Sequence, residues 1–96
     1  MFVVLLKFSD NRMSAGQFMA EHKQWIQQGI EQGFFQLVGS LKPEQGGAII
    51  AHGIERPALE EYVAQDPFVE HGVVRAELLE ISPALASDEL SFMLAK

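Results

Sequence analysis

Four short apolar segments, one long helical segment and one short one follow each other along this chain in an order that predicts an α+β fold. It is the ferredoxin-like arrangement, a split β-α-β-β-α-β unit whose two helices lie on one face of a four-stranded antiparallel sheet. Three observations carry the prediction. Runs rich in β-branched and aromatic residues, bounded by turn formers, occur at residues 2–8, 34–41, 47–52 and 72–82. A helix-periodic stretch separates the first run from the second, and a shorter one separates the third from the fourth. With 96 residues there is room for a single core. The 48% hydrophobic and 21% charged residues are globular values, which excludes a disordered or low-complexity chain.

Each element has its own justification. The first strand, Phe2–Phe8, ends at the turn-prone Ser9, Asp10 and Asn11. Phe2, Val4, Leu6 and Phe8 fall on one of its faces and Val3 and Leu5 on the other, so it needs cover on both sides. Ser14 and Gln17 have capping-box spacing, with Met13 and Phe18 at the hydrophobic-staple positions, so a helix should start there. At about 100° per residue, Ala15, Phe18, Met19, Trp25, Ile26, Gly29 and Ile30 share one arc opposite Gln17, Glu21, Gln24, Gln27, Gln28 and Glu31. This amphipathic helix runs to about Gln32, and Gly33 suits its C-terminal cap. Residues 34–41 and 47–52 read as a hairpin around the turn-rich residues 42–47. Pro57 suits a first helical turn, and Leu59, Tyr62 and Val63 form a short stripe that Pro67 must end near Gln65. Residues 72–82 alternate imperfectly but have strand length between Gly72 and Pro83. Residues 1–82 make the domain. The tail, residues 83–96, carries Leu90, Phe92, Met93 and Leu94 and should dock on the domain or on a partner subunit, as a short helix or a strand. In this fold one sheet face is left open, and an apolar open face is rarely tolerated on a monomer. A second copy is the simplest cover, giving a two-fold homodimer of the dimeric α+β barrel kind, with a higher assembly left open.

Composition narrows the function classes. Seven Lys+Arg against thirteen Asp+Glu give a net charge of −6, with no basic cluster to follow a phosphate backbone, so nucleic acid is not the expected partner. Zero cysteines exclude a disulfide framework, a thiolate metal site and a cysteine nucleophile. The longest apolar run, residues 2–6, is too short to span a membrane or to form a signal-peptide core, so the expected place is the cytoplasm, with no membrane partner.

His22 is the most informative residue. Four residues from both Phe18 and Ile26, it sits in the middle of the apolar stripe, where burying an unpaired imidazole costs roughly 1–3 kcal/mol. It therefore needs a partner. A backbone carbonyl would serve, as in an ordinary core histidine, but Asp66 is the alternative. That residue follows the last turn of the second helix, where a carboxylate opposes the helix dipole, although an Asp-Pro turn accounts for it as well. Because both helices pack on one sheet face, the two side chains can meet, and the carboxylate would then fix the tautomer of a general base or acid. His52 and His71 lack a second ligand at metal spacing, the glycines of residues 42–47 fit no phosphate or dinucleotide pattern, and no metal or cofactor is expected. Arg12 and Arg75 could clamp an anion but are ordinarily solvated.

Asp66-Pro67-Phe68 followed by Gly72 and the last strand, behind a helix bearing His22 and a second strand that ends at Gly39-Ser40, resembles the YciI-like family of small dimeric α+β barrel proteins. The resemblance covers roughly residues 1–82 and implies that His22 and Asp66 are an acid/base pair beside a pocket. Ser40, where the chain departs from the family, could add a hydroxyl to that pocket, although a serine at a strand end is ordinary; Phe18 and Trp25 could line it, although on this helix they are more often core; and Phe68 is a further pocket candidate. The best-understood activity in the family is removal of chloride from a chlorinated hydroxyquinol. The family commonly has Gly-Pro where this chain has Gly39-Ser40, and its usual C-terminus is shorter. The first functional reading is a cofactor-independent enzyme in which the pair moves a proton on a small aromatic or hydroxylated substrate, by elimination or isomerisation. A non-catalytic ligand-binding or accessory module is the second reading, and cofactor-free oxygenation of a quinol is the third.

Overall fold

Seven segments of regular structure follow the predicted order, with one addition. The computed structural model describes residues 1–94. Strand β1 is Phe2–Phe8, helix α1 Ala15–Glu31, β2 Phe35–Leu41, β3 Gly46–Ala51, α2 Arg56–Ala64, α3 Pro67–Glu70 and β4 Val74–Glu80. Short 3-10 turns occupy Arg12–Ser14 and Asp88–Leu94. The strands lie in the order β2-β3-β1-β4, with every neighbouring pair antiparallel, which is the α+β ferredoxin-like topology read from the sequence. No helix among the described residues is long and apolar enough to cross a membrane.

The core lies between the helices and one sheet face. Phe2, Val4 and Leu6 of β1 are buried there with Ile49, Ala51, Leu59, Val63 and Val74. Two backbone carbonyls tie α1 to α2: the Trp25 indole N–H donates to the carbonyl of Tyr62 at 2.9 Å, and the Tyr62 hydroxyl donates to the carbonyl of Trp25 at 2.7 Å. The two rings stack, and Phe34 and Phe35 meet Tyr62 edge-on. Gly29 makes room for this cluster, since a Cβ at that position would run into the Phe35 ring. Gly29→Ala should therefore destabilise the protein. The helix-propensity gain of about 1 kcal/mol is outweighed by overpacking of about 1–3 kcal/mol. Urea unfolding of the variant measures the sign, and a net stabilisation would contradict it.

The opposite face is open and apolar at its centre. Val3 pairs with Ile50 and with Leu79, and Ile50 with Leu37, so one row of four aliphatic side chains crosses all four strands. Leu37 joins that row because the β2–β3 register shifts between Phe35 and Leu37. Strict alternation from Phe35 would have kept it on the helix side. Leu37 is 65% exposed and Leu79 44%, so the chain alone leaves this row to water.

Three local expectations need correcting. The capping box at Ser14 is absent: the residues before α1 form a 3-10 turn that runs straight into the helix. The Ser14 hydroxyl donates to Asn11 Oδ1 at 2.9 Å and not toward Gln17. No staple forms either, since Met13 is almost fully exposed. The segment after α2 is not a bare turn but the helix α3, and Asp66 is its N-cap, accepting from the backbone N–H of Phe68 at 3.0 Å. The carboxylate thus sits where a helix start favours it, not where the end of α2 would oppose it. In the tail, residues 88–94 are 3-10 helical. Met93 is its buried residue, while Phe92 meets the His52 ring edge-on and stays 43% exposed. The last two tail residues lie outside the described residues.

Candidate active site

Two turns of backbone bring the chemistry together. His22 projects from the middle of α1, and α3 turns sharply after Asp66 because Pro67 fixes φ at the first helical position and the Asp66 side chain caps the turn. His22 Nδ1 lies 2.7 Å from Asp66 Oδ1. The Asp66 side chain has no solvent exposure and that of His22 is 12% exposed. An ionised carboxylate only accepts, so toward such a partner Nδ1 would be the donor and Nε2 the nitrogen left free of that contact, on a ring that lines the neighbouring cleft. The imidazole is clamped in its plane: the Phe68 ring stacks on it at 3.9 Å with an angle of 4°, and Trp25 lies beyond at 5.9 Å. Asp66 Oδ1 thus serves both His22 and the Phe68 N–H, while Oδ2 is buried without a hydrogen-bond partner among the described residues.

The cleft has a volume of about 310 Å³ between α1 and the hairpin end of the sheet. His22, Lys23 and Ile26 of α1 line one side, Val38, Ser40 and Ala48 of the hairpin another, and Phe68 lines it beside His22. Gly46 and Gly47 line it as well, and Gly46 cannot be replaced freely: its φ is +127° and a Cβ would collide with the carbonyl oxygen of Leu6. Of the residues singled out from sequence, His22, Ser40 and Phe68 line the cleft, and Asp66 stands behind His22. Phe18 is not among the lining residues; its ring stacks on His71 at 4.0 Å. His71 caps α3, and His52 meets Phe92, so neither joins the site. Among the described residues no three His, Asp or Glu side chains come together as a metal site. Lys23 and the glycine wall escaped the sequence reading. Lys23 was adjacent to His22 all along, but its solvent-facing azimuth carried no signal.

Asp66 also acts on the helix clamp. Burial, and then the negative charge of Asp66, hold the Tyr62 phenol above the ordinary 10.0. A folded-state value raised above the unfolded one means stability that is fully present below the unfolded pKa and lost as pH rises through the folded pKa. Tyr62→Phe should flatten this alkaline limb, so the fall in urea midpoint from about pH 8 to about pH 10.5 should be smaller than in the wild type. Equal falls would contradict the assignment.

No family model and no curated protein sequence matches the chain. Among solved structures it is similar to the 5-chloro-2-hydroxyhydroquinone dehydrochlorinase of Burkholderia phenoliruptrix AC1100, determined in complex with 2,5-dihydroxybenzoquinone. The match has a TM-score of 0.67 and covers 84% of this chain and 93% of that one, at 14% sequence identity. At that identity the likeness shows the fold alone.

Proposed function

We propose that the chain is a YciI-like enzyme in which His22, oriented by Asp66, moves a proton on a small aromatic or hydroxylated substrate in an elimination or isomerisation. The observation that carries this reading is the 2.7 Å contact between His22 Nδ1 and a fully buried Asp66, on a histidine whose ring lines a cleft. With Nδ1 committed to the carboxylate, Nε2 takes a proton from a ring hydroxyl and returns one to the ring or to the leaving group. Elimination of hydrogen halide needs only such a base and acid, because a proton and a halide depart together. The dehydrochlorinase likeness supports that reaction class. The reading includes a cytoplasmic homodimer built by apposing the open sheet faces, whose aliphatic row then leaves water in both copies.

One observation favours a non-catalytic ligand-binding module instead: Asp66 already has a structural task as N-cap of α3. The experiment that separates the two readings offers 5-chloro-2-hydroxyhydroquinone to the wild type and to His22→Asn, and measures chloride release and binding. An asparagine amide can replace Nδ1–H toward Asp66 but has nothing at Nε2. The enzyme reading expects release by the wild type and a loss of about 10²-fold or more in the variant with binding retained. Binding by both without release favours the module.

A further inference from the structure

The cations of this acidic chain are unevenly placed. Three of its seven Lys and Arg residues surround the cleft: Lys23 lines it, and Arg12 and Lys42 line an adjoining hollow that shares Phe8, Ser40 and Gly46 with it. None of the three makes an ion pair among the described residues, nor does Arg75 on β4 away from the cleft, whereas Lys7 pairs with Glu77, and Arg56 with Glu60 and Glu80. No carboxylate lines the cleft itself, and Glu44 is the single acidic residue lining the hollow. Arg12 is held in place: its guanidinium lies 4.3 Å from the centre of the Phe8 ring, and one Nη donates to the backbone carbonyl of Glu44 at 3.3 Å. A guanidinium has five N–H donors, so the bond to Glu44 leaves others for a ligand.

We infer that the cleft takes a small planar molecule bearing an anionic oxygen group, a carboxylate or an enolate, with its ring against Phe68 and His22 and its anion toward Arg12 and Lys42, while Lys23 adds charge from α1. This rests on the reading of the cleft as the substrate site and adds the charge of the substrate to it. The physical grounds are two. Cations left unpaired in a protein of net charge −6 are a local reversal of its field, which draws anions to that mouth. A charge-assisted hydrogen bond to a positioned guanidinium is also about twice as strong as a neutral one. The apolar walls from Leu6, Ile26, Val38 and Ile49 suit the uncharged part of the same molecule.

The test uses two probes of one shape, 4-hydroxybenzoate and its neutral amide, 4-hydroxybenzamide. Each is titrated into the full chain while the His22 ring and the Gly46 and Gly47 amides are followed by NMR. The wild type should bind the carboxylate about tenfold more tightly than the amide, a preference that salt weakens. The double variant Arg12→Gln, Lys42→Gln should lose most of that preference, the remainder coming from Lys23, with amide affinity unchanged. Both positions are exposed, so the fold should survive, which the dispersion of the same spectra reports. Equal affinities in the wild type, or a preference that persists undiminished in the double variant, overturn the anion assignment and leave the cleft as a ligand site. If neither probe shifts the His22 ring or the glycines, the cleft reading falls, and this inference with it.

Discussion

Replacing His22 with alanine is expected to destabilise the protein by about 3 kcal/mol, a large share of the 5–15 kcal/mol typical of a domain. The lost ring contacts contribute, but the dominant cause is the partner left behind. Asp66 is fully buried and already has one oxygen without a hydrogen bond, so removing His22 leaves its charge to the Phe68 N–H alone. A buried carboxylate stripped of its hydrogen-bond donor costs more than the intact hydrogen bond contributes. The same substitution made in an Asp66→Asn background should therefore cost less than half as much, because the neutral amide still caps α3 and carries no charge to strand. Urea unfolding of the four proteins gives the cycle. Additive effects would mean that the two side chains are not coupled.

Ile50→Lys should abolish the proposed homodimer while leaving the monomer folded. Ile50 lies in the middle of the open-face row, opposite Val3 and Leu37, and a two-fold axis through that face would bury two added ammonium groups per dimer. The helix-side core, in which Ile49 is buried, is untouched. Sedimentation should give a dimer for the wild type at micromolar concentration and 10.7 kDa for the variant, with the two circular dichroism spectra alike. A variant that remains dimeric would place the interface elsewhere.

Most of the architecture was legible because it rests on periodicity. The apolar run at residues 2–8 marks a strand, and the stripe on α1 marks the side that packs on the sheet, where Trp25 and Gly29 are buried although Met19 and Ile30 at its margins stay exposed. His22 was legible for the same reason, as a polar ring at an apolar azimuth. The start of α1 was not, since capping-box spacing says nothing about the 3-10 turn that arrives from Asn11 and turns the Ser14 hydroxyl away. Helix α3 was hidden because four residues are too few for any period, and only the Asp-Pro pair marked it. Yet that short helix decides the site: it turns Asp66 inward and stacks Phe68 on the imidazole. The bulge at Phe35–Leu37 left no trace in composition, so the side to which Leu37 points could be learned only from register.

If Asp66 holds His22 as a base whose Nε2 serves the cleft, the protonation of the ring itself reports it. Long-range ¹H–¹⁵N spectra of the wild type, recorded where the ring is neutral, should show Nδ1 as the protonated nitrogen and Nε2 as the bare one. That tautomer should be lost in Asp66→Asn, whose amide can donate to Nδ1. A wild-type ring protonated at Nε2, or one averaged between tautomers as in an exposed histidine, would contradict the account.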